Sequence, residues 1–258
     1  MAEYQTIGSV GVGSRADQID QGLQAHMNKV YGLMSVGMLL TGAAAWAIAG
    51  LSTTDAANAV AQVGRGTYLN SFGAAIYLSP LKWVIMFAPL AMVMGFGAIM
   101  SRASLATAQL YFYAYAALMG LSLSSIFLVF TGASIAQTFL ITAVAFASLS
   151  LYGYTTKKDL SAMGTFLMMG VIGLLVAMVI NIFLQSTAMA FAISTIGVLI
   201  FAGLTAYDTQ AIKNQYIAHA EHGDQDWLGK GAIMGALRLY LDFINMFMFL
   251  LQMFGNRN

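Results

Sequence analysis

The stretch that decides the fold runs from Arg238 to Phe254, RLYLDFINMFMFLLQMF. It is apolar enough to lie in a bilayer, yet it carries polar side chains at spacings of four, three and seven residues: Arg238, Asp242, Asn245 and Gln252. On a helix of 3.6 residues per turn these positions lie along one face. A carboxylate at the bilayer centre costs about 2.5–3.5 kcal/mol even on insertion scales. We therefore expect other helices to surround this one.

The composition of the whole chain is that of an integral membrane protein. Of its 258 residues, 59% are hydrophobic and 8% are charged, whereas soluble domains have about 25% charged residues. The chain has no Cys, which excludes disulfides, thiolate metal sites and Cys nucleophiles. The net charge of +1 and the lack of a basic cluster give no indication of nucleic acid binding. No catalytic or nucleotide-binding motif occurs, so we expect neither an enzyme nor a bound cofactor.

Seven apolar runs of about 20 residues predict an all-α fold with seven transmembrane helices. The runs lie near residues 31–51, 83–100, 107–130, 136–155, 164–184, 188–208 and 233–254. Pro89 lies inside the second run, where we expect a kink and not a break. Residues 1–28 are predicted to form a polar cytoplasmic tail, and residues 29–258 a single seven-helix transmembrane domain.

The distribution of Lys and Arg predicts the orientation. With a cytoplasmic N-terminus, the inner segments hold Arg15, Lys29, Arg102, Lys157, Lys158, Lys213 and Lys230, and the outer segments hold Arg65, Lys82 and Arg257. The positive-inside rule therefore favours a cytoplasmic N-terminus and an outer C-terminus. The outer connection 52–82 is long enough for a small helix capped by Thr54 or Asp55.

Two carboxylates lie in or at the edge of the predicted spans. Asp208 ends the sixth span and Asp242 lies within the seventh, both in the predicted cytoplasmic half, where they can meet across adjacent helices. Ionisable residues inside membranes are functional by default. Two carboxyl groups in contact at low dielectric share a proton and titrate in coupled steps. The pair predicts a proton sensor whose oxygens can also bind a cation transiently.

A structural explanation of these residues stays open. Arg238 and Asp242 are spaced i, i+4 and could neutralise one another, while Asp208 could lie in interfacial water beside Lys213. Arg102, in the second inner connection, could reach the carboxylates or act only as a topology-setting charge.

Two other polar groups are expected to carry no chemistry. Asn181 and Gln185, near the outer end of the fifth span, are expected to make interhelical hydrogen bonds. The loop segment HAEHGD contains His219 and His222 with Glu221 and Asp224, and two His in a solvated acidic loop usually bind no metal.

Three segments resemble the transmembrane Bax-inhibitor-motif family in a bacterial member: FAGLTAYDTQAIK (201–213), LYLDFINMFMFLLQMFG (239–255) and VINIFLQSTAMAFAISTIGVLIF (179–201). The resemblance implies a fold in which six helices surround the seventh. It also implies a pH-sensitive calcium leak channel, in which Asp208 and Asp242 close the cytoplasmic end and a basic residue, matched here by Arg102, interacts with them. Arg238 and Asn245, on the polar face of the last span, are supporting candidates.

Two further functions stay open. Some bacterial relatives are described as restraining a membrane-bound ATP-dependent protease, which would make the chain a regulatory protein that binds through its N-terminal tail and the loop 209–231. A proton-coupled exchanger could use the same Asp pair. The bacterial resemblance, without an organelle-targeting signal, predicts the inner membrane. The expected partners are the lipid bilayer, calcium ions and protons, with a protease as the alternative.

Overall fold

A computed structural model describes residues 12–63, 66–219 and 225–257 of the chain. The described ranges contain nine α-helices, one 3₁₀ turn and a two-stranded antiparallel hairpin. The helices are α1 (Val12–Ser52), α2 (Ser71–Tyr77), α3 (Leu81–Arg102), α4 (Leu105–Leu123), α5 (Ile126–Val129), α6 (Gly132–Thr155), α7 (Ser161–Leu184), α8 (Thr187–His219) and α9 (Gln225–Phe254). The 3₁₀ turn is Ala56–Asn58, and the strands are β1 (Ala61–Val63) and β2 (Thr67–Leu69).

Seven segments are long and apolar enough to cross a membrane, which confirms the all-α membrane fold. They comprise α1 from Ile19, α3, α4 together with α5, α6, α7, α8, and α9 from Asp226. Helix α3 runs unbroken through Pro89, as expected of a proline whose neighbours satisfy the freed backbone.

Helices α1 and α8 are longer than the apolar runs that predicted them. Helix α1 begins at Val12 and not near residue 31, and α8 continues to His219 and not to 208. The extension of α1 is polar overall but buries Leu23, Met27 and Val30, which are spaced i, i+4, i+7. This is the period of an amphipathic helix, which a search for continuous apolar runs does not detect. The cytoplasmic location of residues 1–28 stays a prediction, and residues 1–11 lie outside the described ranges.

Helix α9 is the most buried of the spans. Two thirds of its apolar window is buried, whereas only 6% of the window in α7 is buried. It packs against α8, α1, α6 and α4, while α3 packs mainly on α4, and α7 on α8. A complete ring of six helices around α9 stays a prediction.

Glycines allow the closest helix contacts. A Cβ on Gly153 in α6 would collide with the carbonyl oxygen of Ala206 in α8, and one on Gly120 in α4 would collide with that of Thr41 in α1. Small residues at such crossings let membrane helices pack by van der Waals contact.

The connection between α1 and α3 is only partly as predicted. A 3₁₀ turn does follow Asp55, but the Asp55 side chain makes no cap hydrogen bond. The longer helix, α2, is capped by Asn70, whose Oδ1 accepts a hydrogen bond from the Gly73 backbone N–H at 2.9 Å. The hairpin between was not predicted, because strands of three residues are too short to show an alternating pattern.

Candidate functional site: a carboxyl pair between α8 and α9

Asp208 on α8 and Asp242 on α9 come together where these two helices pack. Their carboxyl groups lie within hydrogen-bonding reach of each other. Asp208 is half-buried, whereas the Asp242 residue is only 4% exposed. Two ionised carboxylates are both acceptors, so a hydrogen bond between them requires a proton on one of them. The structure therefore brings the two predicted residues together in a form suited to hold one proton.

One oxygen of this pair lacks a partner. Oδ2 of Asp242 is buried and makes no hydrogen bond within the part of the chain that the structure describes. Leaving a buried polar atom unsatisfied costs free energy that purely structural residues normally avoid. The unsatisfied oxygen is available to a proton or a cation.

The basic candidates do not form ion pairs with the carboxyl groups. Arg238 and Arg102 are both exposed, and across the described ranges neither lies within 4 Å of a carboxylate oxygen of the pair. The Arg238 charge does act electrostatically on both carboxylates. Within the described residues, Arg238 and Asp242 therefore do not form the i, i+4 ion pair that the sequence allowed. Arg102 does not form an ion pair with either carboxyl group there.

Lys213 is engaged elsewhere and does not explain Asp208. Its Nζ donates a hydrogen bond to the Tyr154 carbonyl at 2.7 Å and lies 5.5 Å from the centre of the Tyr154 ring. This anchors the end of α8 to α6.

The other polar residues of α9 have local or interhelical partners. Asn245 Nδ2 donates to the Leu241 carbonyl of its own helix at 2.8 Å. Gln252 Oε1 accepts a hydrogen bond from Ser194 Oγ on α8 at 3.3 Å. The contribution of Asn245 to the site stays a prediction.

Gln210, two residues after Asp208, is a buried residue that joins α8 to the α6–α7 connection, and the sequence did not single it out. Its Oε1 accepts from the Leu160 backbone N–H at 2.9 Å, and its Nε2 donates to the Lys158 carbonyl at 2.8 Å. These bonds hold the start of α7 against α8. The sequence signal that could have identified Gln210 is a polar residue on the face that the α8 extension buries.

A chain of hydroxyl groups links α1, α6 and α8. Tyr31 Oη lies 2.6 Å from Ser150 Oγ, which lies 2.9 Å from Thr209 Oγ1. Thr209 donates in turn to the Thr205 carbonyl at 2.8 Å. Each hydroxyl group therefore donates its hydrogen bond in the direction from Tyr31 to Thr209. Thr209 directly follows Asp208 in the sequence.

A second hydroxyl contact links α9 to α1 and α4. Tyr240 Oη lies 2.7 Å from Thr41 Oγ1, which lies 2.8 Å from the Ala116 carbonyl oxygen. Because Thr41 has one proton, it donates to a carbonyl and accepts from Tyr240. Tyr240 is fully buried, two residues before Asp242. Neither hydroxyl contact had a sequence signal, because Ser, Thr and Tyr recur in every span.

Two of the cavities lined by α1 adjoin these hydroxyl contacts. The larger, about 560 Å³, opens between α1 and α6 and is lined by Tyr31 and Ser150 among others. The smaller, about 80 Å³, is lined by Thr41 on α1 and by Ile244 and Phe247 on α9. Thr41, the hydrogen-bonding partner of Tyr240, thus lies at the boundary of the smaller cavity.

The remaining candidates lie away from the carboxyl pair. Asn181 and Gln185 do not make the expected interhelical bonds: Asn181 Oδ1 accepts from the Ser186 backbone N–H at 3.1 Å, and Gln185 ends α7 with φ 50°. They form a helix C-terminus, where left-handed residues are common.

His219 stacks on Trp227 with ring centroids 3.8 Å apart. The rest of the HAEHGD prediction lies outside the described residues, within which no three metal-type ligands cluster.

Comparisons with known proteins cover nearly the whole chain. The family model described as "Inhibitor of apoptosis-promoting Bax1" matches residues 23–258. The inner membrane protein YbhL of Escherichia coli K12 is 45% identical over 246 residues, which cover 94% of this chain and 97% of the relative. An uncharacterized protein of Rickettsia prowazekii is 43% identical over 244 residues, 95% and 94% of the two chains. One of Caulobacter vibrioides is 44% identical over 242 residues, 93% and 92%.

Proposed function

The chain belongs to the Bax inhibitor family, and from that premise we propose that it is a proton-regulated cation leak channel, with calcium as the permeant ion and the Asp208–Asp242 pair as its gate. As a multi-pass protein of the bacterial inner membrane, it is situated where such a leak would act.

One observation carries the proposal: the contact of two carboxyl groups inside a helix bundle, with Asp242 Oδ2 unsatisfied. With one shared proton, a charge-assisted hydrogen bond ties α8 to α9. Loss of that proton leaves two negative charges that repel, and gain of a second leaves a weaker neutral bond. Either change loosens the contact between the two helices, and the family resemblance favours opening by acid.

The same oxygens suit a passing calcium ion. Calcium prefers six to eight oxygen ligands, and carboxylates supply the strongest of them. Two carboxyl groups and neighbouring carbonyl oxygens make a weak site, and weak binding permits release as well as entry. Arg238, the described cation that acts on both carboxylates, weakens cation binding further.

The proposal is tested by calcium flux into dye-loaded proteoliposomes, scanned from about pH 5.5 to 8.5, a range that brackets a carboxyl group perturbed by a buried neighbour. We expect a flux that titrates in the wild type. In Asp208→Asn and Asp242→Asn its midpoint should move or the titration should disappear.

Asp159→Asn is the matched control. Hydrogen bonds from the side chain and backbone of Ser161 lower the pKa of Asp159, which lies exposed in the α6–α7 connection. A group whose pKa is lowered stays ionised across the scanned range, so this variant should keep the wild-type profile. An unchanged profile in both pair variants would contradict the gate.

The flux assay also separates the two other functions. No flux above empty liposomes at any pH would favour a regulatory protein, which binding assays with and without residues 1–25 would then examine. An exchanger would require a proton gradient, so its calcium flux would stop when an ionophore dissipates that gradient, whereas a leak would continue.

A further inference from the structure

A further cavity, with a different chemistry, lies between α1, α8 and α9. It has a volume of about 290 Å³ and is lined by Gly22, Ala25, His26 and Lys29 of α1, Tyr216 of α8, and Leu228 and Gly229 of α9. Its volume is near the lower end of small-molecule sites, about 300 Å³. It is lined by two basic side chains and a hydroxyl group, and by no acidic side chain.

The absence of a side chain at position 22 lets the Tyr216 hydroxyl pack against α1 at the wall of this cavity. A Cβ on Gly22 would collide with the Tyr216 hydroxyl oxygen, so the hydroxyl lies directly against the α1 backbone. The His26 ring packs on the Tyr216 ring, with centroids 4.9 Å apart. Gly22, His26 and Lys29 are spaced i, i+4, i+7 and therefore share one face of α1.

The basic groups of the cavity are not neutralised within the described ranges. Lys29 is exposed and lies close enough to His26 to act on it electrostatically, and neither residue forms an ion pair there. The described acid in the first turn of α9, Asp226, is paired with Lys230 at 3.1 Å. A cavity lined by these basic groups suits an anionic ligand.

The location indicates the source of that anion. Lys213 and Lys230 lie at this end of the bundle, which the distribution of basic residues predicts to be cytoplasmic. Basic pockets between transmembrane helices on this side of a membrane bind the head groups of anionic lipids. Ala25 and Leu228 add an apolar part to the lining, which suits a lipid better than a free ion.

We propose that the cavity between α1, α8 and α9 binds the phosphate group of an anionic phospholipid through Lys29, His26 and the Tyr216 hydroxyl. This site is independent of the Asp208–Asp242 pair and of the channel proposal. A bound phospholipid would bridge α1 to the two helices that carry the pair.

The test is native mass spectrometry of the full chain released from nanodiscs that contain equal amounts of phosphatidylglycerol and phosphatidylcholine. We expect the wild type to retain phosphatidylglycerol selectively. A Lys or Arg near a membrane surface contributes about fivefold in affinity for anionic lipid, so His26→Gln/Lys29→Gln should retain it up to about fivefold more weakly.

Lys157→Gln/Lys158→Gln is the matched control, because it removes two exposed basic side chains from the α6–α7 connection. It should retain phosphatidylglycerol as the wild type does. Tyr216→Phe and Gly22→Ala keep the charge and should each weaken retention, the first by removing the hydroxyl and the second by displacing it from α1.

Three outcomes would overturn the proposal. Equal loss in both double variants would assign retention to general surface charge. Unchanged retention in the His26/Lys29 and Tyr216 variants would exclude the cavity. Binding of inorganic phosphate without retention of phosphatidylglycerol would assign the cavity to a free anion. Thermal unfolding of each variant, with and without added lipid, identifies a variant that fails to fold, because a ligand raises the midpoint only of a protein that binds it.

Discussion

At the scale of single residues, Asp242 lies in the most buried helix of the bundle, and its Oδ2 has no hydrogen-bonding partner among the described residues. The free energy cost of burying the Asp242 carboxyl group therefore depends on its contact with Asp208. Removing Asp208 would leave the second carboxyl group buried without its hydrogen-bonding partner.

We predict that Asp208→Ala lowers the free energy of unfolding by about 1–3 kcal/mol, the usual cost of stranding a buried polar group. The measurement is equilibrium unfolding in mixed detergent micelles. The double variant Asp208→Ala/Asp242→Ala should lose less than the sum of the two single losses, with a coupling of about 0.5–3 kcal/mol. Strict additivity would show that the two carboxyl groups do not interact.

The Tyr240 hydroxyl gives a second residue-scale prediction. Tyr240→Phe removes its hydrogen bond to Thr41 but leaves Thr41 a backbone carbonyl as acceptor. We expect a loss of about 0.5–1.5 kcal/mol, measured by the same unfolding assay. Tyr152→Phe, at an exposed tyrosine of α6, should change little, and an equal loss in both would refute a specific Tyr240 contribution.

Sequence could identify the two carboxylates but not their hydroxyl-bearing neighbours. Asp208 and Asp242 are the carboxylates in or at the edge of the apolar runs, so rarity alone singled them out. Thr41 and Ser150 look like any other small polar residue of a membrane helix. Which of them meets a tyrosine depends on helix rotation, and single-chain periodicity does not determine it.

At the scale of elements, the α6–α8 crossing depends on Gly153. We predict that Gly153→Ala destabilises the protein by about 1–3 kcal/mol, because the new methyl group collides with the Ala206 carbonyl and forces the helices apart. Gly173→Ala in α7 is the matched control, since a Cβ there meets nothing within 4 Å. It should be neutral or stabilising by up to about 1 kcal/mol, from helix propensity. Equal unfolding midpoints would contradict the close crossing.

Element boundaries could be predicted where the chain is uniformly apolar and not where it is amphipathic. The span of α7 was predicted to within a few residues because it is apolar on every side. The extensions of α1 and α8 were missed because their buried residues, such as Leu23 and Tyr216, alternate with polar ones. The hairpin of β1 and β2 is held by tertiary contacts, including a backbone bond from Thr54 to Tyr68, that no local pattern encodes.

At the scale of the whole molecule, the predicted orientation can be tested directly because the chain has no Cys. Single Cys residues can be introduced without background, at Lys158 in the α6–α7 connection and at Gln185 in the α7–α8 connection. In spheroplasts a membrane-impermeant maleimide should label Gln185→Cys at once and Lys158→Cys only after permeabilisation. The opposite pattern would place the N-terminus outside and invert the predicted location of the carboxyl pair.

The length of α1 has a mechanical consequence. Its 41 residues span about 60 Å at 1.5 Å per residue, about twice the 30 Å hydrocarbon core of a bilayer. The overhanging part of α1 touches the overhanging part of α8 through Gly22 and Tyr216. If α1 stays straight, a tilt of about 5° within the bilayer moves a point about 30 Å beyond its pivot by about 2.6 Å. In that geometry, a small tilt of α1 within the bilayer produces a larger displacement at the aqueous end of the helix.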